Sequence, residues 1–409
     1  MTLLRKPGVL PLLAAEVVST TGAQMTWLAL PWFVLVTSGS ATRMSVVVGA
    51  ELLGFAALSI PGGRLLGRIG AWGAMVACDA VRAPLMLLIP VLHWTGHLSF
   101  PLLVAIAAAL GAMGAPYFAA QKMIVPELLG EDEVIVSRAS ALFQTATRTT
   151  LLLGPVLGGF LISLFAAPAV LVVDGATYLV AVFLLVTFVP RPERRPVAPE
   201  DRGVGRSIRF LVREPLLRIW TPVLAIGDAG WAAFFVAVPV LVVARFDSDP
   251  RVAGFLFASF GVGAVLGNVI ALRYLLARVD GLALIGTVVL AQALPLWLLT
   301  VDLPAYGYAV ALACSGVANG LVNPSLHSIL TLRVPPALRP TVMTTIGMFF
   351  GLVQPLAIFG VGPVLDAVGV RPVLVGFAGV QTAAMLALGI SALRARGAAE
   401  PAEPVVQQA

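Results

Sequence analysis

Twelve apolar stretches recur along these 409 residues, at about 9–36, 44–66, 74–92, 101–120, 139–164, 170–189, 216–243, 253–276, 282–300, 305–331, 342–365 and 372–393. A helix needs about 20 predominantly apolar residues to cross the hydrocarbon of a bilayer, so each stretch is long enough for a crossing and little chain remains outside. With 11% charged residues and a mean hydropathy of +0.99, a soluble globular enzyme is excluded. The expected fold is an all-α integral membrane protein of twelve transmembrane helices.

Arg5 and Lys6 precede the first apolar run as in a signal peptide, but a run from about 9 to 36 is too long for an h-region and reads as a retained span. The stretch 190–215 breaks the apolar pattern with proline, glycine and charge. It divides the chain into a first six-helix bundle (1–189), a cytoplasmic linker (190–215), a second bundle (216–393) and a tail (394–409) expected to be disordered. Near the linker's end Ile208, Phe210 and Leu211 alternate with arginines, a pattern suited to the membrane surface.

The net charge of +6 would suggest nucleic acid in a soluble protein; here the arginines read as topogenic and no nucleic-acid partner is expected. With the amino terminus inside, the inner loops and tails hold 20 basic residues and the outer loops only Arg43, Arg245, Arg251 and Arg371. Both termini are therefore expected in the cytoplasm. Cys78 and Cys314 are too few for a disulfide framework and read as small core residues.

The halves repeat each other. Gly22 and Gly230, Pro31 and Pro239, Pro116 and Pro324, and Gly154-Pro155-Val156-Leu157 with Gly362-Pro363-Val364-Leu365 all stand 208 residues apart. Two parallel six-helix repeats are the mark of a transporter whose substrate site lies between its halves.

Polar residues within apolar spans are costly and mark functional candidates. On the first span Glu16, Thr20, Gln24, Trp27 and Pro31 fall within an arc of roughly 80°, a stripe suited to water or protein. The fifth span carries Ser140, Gln144, Thr147 and Arg148, the seventh Asp228 with Trp231 and Phe235, and the tenth Ser315, Asn319, Asn323 and His327. Asp228 is the first candidate for a proton carrier, because a desolvated carboxylate takes up a proton readily. A permanent ion pair with Arg148 is the alternative. Glu16 is the second candidate and Glu51 the third; for Glu51, Asp79 and Asp174, pairing or solvation is the expected role. His93 and His97 stand four apart in an expected outer loop without further ligands, so no metal site is expected. No nucleophile is paired with a base, so no enzyme is expected, and nothing calls for a cofactor. The pairing of Gly263 with Gly267 within an apolar span reads as close helix packing.

Leu153-Gly154-Pro155-Val156-Leu157-Gly158-Gly159 resembles the GPxxGG core of the antiporter motif in drug exporters of the major facilitator superfamily. Gly63-Arg64-Leu65-Leu66-Gly67-Arg68-Ile69-Gly70 resembles that superfamily's GxLaDRxGR inner loop, whose aspartate caps a helix and pairs with arginine. Gly67 stands where the aspartate belongs and Ala71 where a basic residue follows, so Gly63, Arg68 and Gly70 alone carry over, leaving Asp79 and Arg82 as possible partners for Arg68 or the linker. Ala29-Leu30-Pro31-Trp32, Ser38-Gly39-Ser40-Ala41, Asp79-Ala80-Val81-Arg82-Ala83, the stretch Pro116 to Pro126, and Val173-Asp174-Gly175-Ala176 are similar to the subfamily of the enterobactin exporter and macrolide efflux proteins. That subfamily often has Gly-Asp in its first span, where this chain has Gly22-Ala23.

The resemblance implies export of small amphipathic molecules, drugs or siderophore-like compounds, by proton antiport with alternating access, in a multi-pass cytoplasmic-membrane protein expected to be a monomer. Asp228, Glu16 and Arg148 would couple protons, and Gln24, Trp27, Trp231, Asn319 and Asn323 would contact substrate. Gly63, Arg68, Gly70, Gly154, Pro155, Gly158 and Gly159 would serve the conformational change. A proton-independent facilitator or importer of the same fold, or a non-transporting sensor or scaffold, remains the alternative.

Overall fold

The computed structural model describes residues 6–130, 132–192 and 204–397, apart from the side chains of 60, 63–65, 133, 204, 337 and 340. Arg5, most of the expected linker and the tail beyond 397 lie outside the described residues. Every regular element among the described residues is helical.

Helix α1 spans Val9–Ser38 and ends where Gly39 turns left-handed (φ 65°), a conformation glycine enters without steric cost. Ala41–Trp94 is one helical run that breaks at Gly70 (φ 75°, ψ 169°), giving α2 (41–69) and α3 (71–94). After α4, Phe100–Leu129, the run Glu133–Phe188 breaks at Ala166 (φ 64°) just before Pro168, giving α5 (133–165) and α6 (167–188). A short helix, Val204–Arg213, precedes α7, Leu217–Arg245. Then follow α8, Pro250–Leu275; α9, Gly281–Thr300; α10, Ala305–Leu332; α11, Arg339–Val368; and α12, Val370–Gly397. Twelve long helices among the described residues thus match the twelve apolar stretches.

Among the described residues ten runs are long and apolar enough to cross a membrane, and one of them, Val134–Phe188, holds both α5 and α6. Helix α1 falls short of that apolarity because of its own polar residues. Where turns are tight, side chains satisfy the free N–H groups at helix starts. Asp132 accepts from the N–H groups of Val134 and Ile135, and Asp280 accepts from that of Ala283.

Packing divides the described chain into two units. The first comprises Met1–Glu200 with Ala232–Ala258 and Gln354–Val373, so parts of α7, α8 and α11 pack with the first six helices. The second comprises Asp201–Trp231, Ser259–Val353 and Leu374–Ala409. Within the first, Leu12, Met75, Ile124 and Leu185 are fully buried in one apolar cluster. Within the second, Trp220, Ile285, Val342 and Leu388 form another, where the Trp220 indole donates to Ser391 Oγ at 2.9 Å. Small residues let α8 and α10 touch backbone to backbone: a methyl at Gly263 would strike the Ala313 carbonyl, and one at Gly316 the Phe260 carbonyl. This is the packing expected of closely spaced glycines.

Candidate functional site

Helix α1 encloses some of its polar residues and leaves others accessible. Glu16, Ser19 and Thr26 are buried, at 1%, 1% and 6% exposure, and turn into the first unit. Gln24 is half-buried, and Trp27 is 52% exposed with its ring edge-on to Phe235 at 6.3 Å. On an ideal helix Glu16 lies within about 20° of Trp27 and about 80° of Gln24, so depth along α1 separates the enclosed carboxyl from the accessible indole. The Thr20 hydroxyl turns back onto the Glu16 carbonyl at 2.6 Å.

Around the buried face lies a polar cluster from four helices. Gln121 of α4 donates its amide to Glu16 Oε1, while Glu16 Oε2 is buried without a partner. Ser19 donates to Asp79 Oδ2 at 3.2 Å, and Arg82, one turn along α3, reaches Asp79 Oδ1 at 3.2 Å. The same guanidinium bonds the Tyr178 hydroxyl at 2.6 Å and lies over the rings of Tyr178 and Tyr117, at 4.2 and 5.4 Å. Thr26 donates to Asp174 Oδ2 at 2.5 Å, and Thr177 donates to Asp174 Oδ1 at 3.3 Å. Asp79 and Asp174 are both fully buried.

Of the pairing or solvation expected for Asp79 and Asp174, the structure shows pairing: Asp79 with Arg82, and Asp174 with the hydroxyls of Thr26 and Thr177. Asp79 is engaged by Arg82 and Ser19 inside the bundle, which turns it away from exposed Arg68. In the inner loop the missing aspartate is replaced from elsewhere. Glu127 of α4 accepts from the Ala71 N–H at 3.0 Å, capping α3 where Gly70 breaks the chain. Gly63 lies in α2 among the residues whose side chains are not described.

The glycines of Gly154-Pro155-Val156-Leu157-Gly158-Gly159 bring α5 against two neighbours. Gly154 lies on Gln24 and Gly158 on the Met25 backbone, so a side chain at either would displace α1. On the other side a methyl at Gly159 would come within 2.6 Å of the Pro250 carbonyl, and one at Gly254 within 2.6 Å of the Pro155 carbonyl. This reciprocal contact joins α5 to the start of α8. Arg251 secures it, donating to Ser163 Oγ at 2.7 Å with its guanidinium over Phe160. The repeated glycine, Gly362 of α11, lies on Ser45 of α2. One turn on, Asp366 accepts from Ser40 Oγ at 2.8 Å and from the N–H groups of Ala41 and Thr42 at 2.8 and 2.9 Å.

The other expected site residues are spread over both units. Arg148 of α5 is exposed and belongs to the first unit. Asp228 of α7 is half-buried in the second unit. Trp231 stacks against Phe260 at 4.4 Å and Phe377 at 5.2 Å. Asn319 and Asn323 are half-buried and His327 is exposed. Ser315, expected in line with them, is fully buried and donates to the Gln292 carbonyl of α9 at 2.7 Å. Cys314 is exposed, not in the core, whereas Cys78 is buried. His93 closes the last turn of α3, with its ring 4.9 Å from that of Phe33, instead of lying in a loop. A cavity of about 490 Å³ in the second unit, lined by Asp280, Ser325, Ser328 and Arg333 among others, holds none of the expected substrate contacts.

Sequence reasoning missed Gln121, Tyr178, Glu127 and Asp366. Ser19 and Thr26 were within reach, since they stand three and ten residues from Glu16 and return to one helical face. Asp366 follows directly on the repeated tetrapeptide.

Twelve long helices, most of them apolar enough to cross a bilayer, with a buried ionic cluster and glycine-lined helix contacts, define a multi-pass membrane transport protein. The chain belongs to the Major Facilitator Superfamily, whose family model matches residues 12–358. It is 22% identical over 408 residues to the multidrug efflux pump Tap of Mycolicibacterium fortuitum, covering 96% of this chain and 97% of that pump. An MFS-type transporter of Bacillus subtilis, YvqJ, is likewise 22% identical over 388 residues, covering 88% of this chain and 89% of the relative. The fold is that of the nucleoside transporter NupG (TM-score 0.76, 12% identity, 96% of this chain and 99% of that one). It also matches a POT family transporter in complex with a thioalcohol-conjugated peptide (TM-score 0.73, 11% identity, 96% and 97%). The chain is a transporter, not an enzyme.

Proposed function

We propose that this transporter exports small amphipathic molecules, drug-like or siderophore-like, in exchange for protons, by alternating access in the cytoplasmic membrane. The observation that carries the reading is the end-to-end similarity to the multidrug efflux pump Tap. The excess of arginine on one set of loops supports cytoplasmic termini, and the chain works as a monomer.

In the cycle Asp228, with Glu16 as alternate, takes up a proton from outside and releases it inside, and Arg148 responds to that change of charge. Gln24, Trp27, Trp231, Asn319 and Asn323 contact the substrate. Two indoles and three amides suit a flat ligand that is apolar on its faces and polar at its edge. Gly154, Pro155, Gly158 and Gly159 give α5 a smooth contact that can part and re-form, and Gly63, Arg68 and Gly70 serve the inner loop.

Everted vesicles loaded by an imposed proton gradient test this. Accumulation of an amphipathic cationic dye is expected to collapse with the gradient and in Asp228→Asn. Transport that survives both loss of the gradient and the Asp228→Asn, Glu16→Gln double substitution refutes antiport.

A further inference from the structure

In the second unit α8 and α10 touch backbone to backbone as far as Gly267 and Gly320, and then part. Beyond that contact α8 ends in a π-helical turn, Ala271–Leu275, in which the Leu276 N–H donates to the Ala271 carbonyl at 3.0 Å. On the facing helix Pro324 interrupts the backbone ladder of α10. A π turn widens a helix by one residue and is found mostly at functional sites. The space opened between the end of α8, the start of α9 and the last turns of α10 is the cavity of about 490 Å³.

Its walls have an apolar and a polar side. Leu276, Val279, Ile329 and Leu332 form the first; Asp280, Arg333 and the hydroxyls of Ser325 and Ser328 form the second. Ser325 is only 5% exposed, and among the described residues neither serine hydroxyl has a hydrogen-bond partner. Ten residues earlier on the same helix, Ser315 bonds the Gln292 carbonyl. Buried polar groups in folded proteins are nearly always satisfied, so the Ser325 hydroxyl calls for an atom of a ligand.

The charges decide what kind of ligand. Asp280 accepts from the Ala283 N–H at 3.0 Å and faces Arg396 of α12 at 3.7 Å. Arg333 donates to Glu214 at 3.2 Å. Each charge that lines the cavity therefore has a counter-charge outside it, and Arg278, in the turn between α8 and α9, does not line it. The site as a whole is neutral, with an anionic end and a cationic end. A ligand of net charge would enter uncompensated, whereas a zwitterion with a phosphate for the guanidinium and an ammonium for the carboxylate keeps the balance.

We propose that this cavity binds the phosphoethanolamine headgroup of a membrane lipid. Ser325, Ser328 and Arg333 hold the phosphate, Asp280 takes the ammonium, and Leu276 and Leu332 flank the first carbons of the lipid chains. Asp280 opens α9 and Arg333 closes α10, so an occupied site ties the start of one helix to the end of the other. None of the expected substrate contacts lines it, and the inference does not depend on proton exchange or on export.

Native mass spectrometry of the full chain in detergent, titrated with phosphatidylethanolamine, phosphatidylcholine or phosphatidylglycerol of the same chains, tests it. Phosphatidylethanolamine is expected to bind at least about tenfold more tightly than the other two, since the methylated ammonium cannot donate to Asp280 and the glycerol headgroup has no ammonium. Asp280→Asn, which keeps a good cap on α9, should abolish that preference. Ser325→Ala and Arg333→Gln should weaken all three lipids alike. Equal affinity for the three lipids, tightest binding of phosphatidylglycerol, or a preference that survives Asp280→Asn each overturns the proposal. Soluble phosphoethanolamine that binds as tightly as the lipid also overturns it, by making the ligand a free metabolite. Should Asp280→Asn fail to fold, the ranking of the three lipids on the wild type still decides.

Discussion

Asp366→Ala removes one carboxylate and with it three hydrogen bonds, to Ser40 Oγ and to the N–H groups of Ala41 and Thr42. Those N–H groups open α2, so the carboxylate of α11 acts as a cap supplied from another helix and sits at the positive end of the α2 dipole. A hydrogen bond to a charged group is worth about 1.5–3 kcal/mol when buried. Asp366 is exposed, so solvent screening reduces each bond to about 0.5–1 kcal/mol. The three together hold α2 against α11 by about 1.5–3 kcal/mol, an increase of about ten- to a hundredfold in the parted state when they are lost. Ser45 reports that state, because it is fully buried beneath Gly362. In a Ser45→Cys, Cys314→Ser background, the rate of labelling by a membrane-impermeant maleimide is expected to rise by that factor in Asp366→Ala. Labelling follows the population of the open form when opening is fast relative to reaction. A folded Asp366→Ala protein in which the thiol introduced by Ser45→Cys labels at the parental rate refutes the argument that this cap holds the two helices.

Gly254→Ala places a methyl within 2.6 Å of the Pro155 carbonyl, a backbone atom that cannot rotate away. It is expected to push α8 from α5 and destabilise the protein by about 1–3 kcal/mol, read as a lower midpoint of thermal unfolding in detergent; an unchanged midpoint contradicts the close approach. Arg82→Met leaves Asp79 buried without its cation, at a cost of about 3–5 kcal/mol. Adding Asp79→Asn should recover most of that loss in the same unfolding assay, and a double variant as unstable as Arg82→Met would place the arginine's contribution in its packing on Tyr117 and Tyr178 instead.

The helix count was legible because it depends on a simple quantity, the length of apolar chain that crosses a bilayer, which the prolines and glycines inside the spans, such as Pro31 and Pro116, do not interrupt. The two breaks at Gly70 and Ala166 were not separately legible as backbone events, since helical chain continues up to a single non-helical residue in each case. The glycine contacts of α5 were legible in kind, through the GPxxGG resemblance, but not in partner, because a sequence does not say that Gly159 meets Pro250 while Gly154 meets Gln24. The polar residues were the hardest to read. A single span offers 360° of surface, and its polar residues divide between faces by a rotation that only packing decides. Glu16 is enclosed because Gln121 of α4 reaches it at its own depth of the bundle, a partner that its position on α1 does not reveal.

The position of these residues along α1 bears on how its two sets of contacts are linked. Glu16 and Trp27, eleven residues apart, project within about 20° of each other on an ideal helix, so one stiff element carries the buried Glu16 contact and the accessible Trp27 ring at different depths. Gly154 packs on Gln24 and Gly158 on the Met25 backbone, which places α5 against the stretch of α1 between them. A movement of α5 across its glycines would then shift α1 bodily, altering the Trp27 contact and the Ser19 to Asp79 bond in a single displacement. Coupling of this form needs a stiff helix and a smooth neighbour, and it predicts that Gly154→Leu slows dye transport in everted vesicles; transport at the wild-type rate would contradict it.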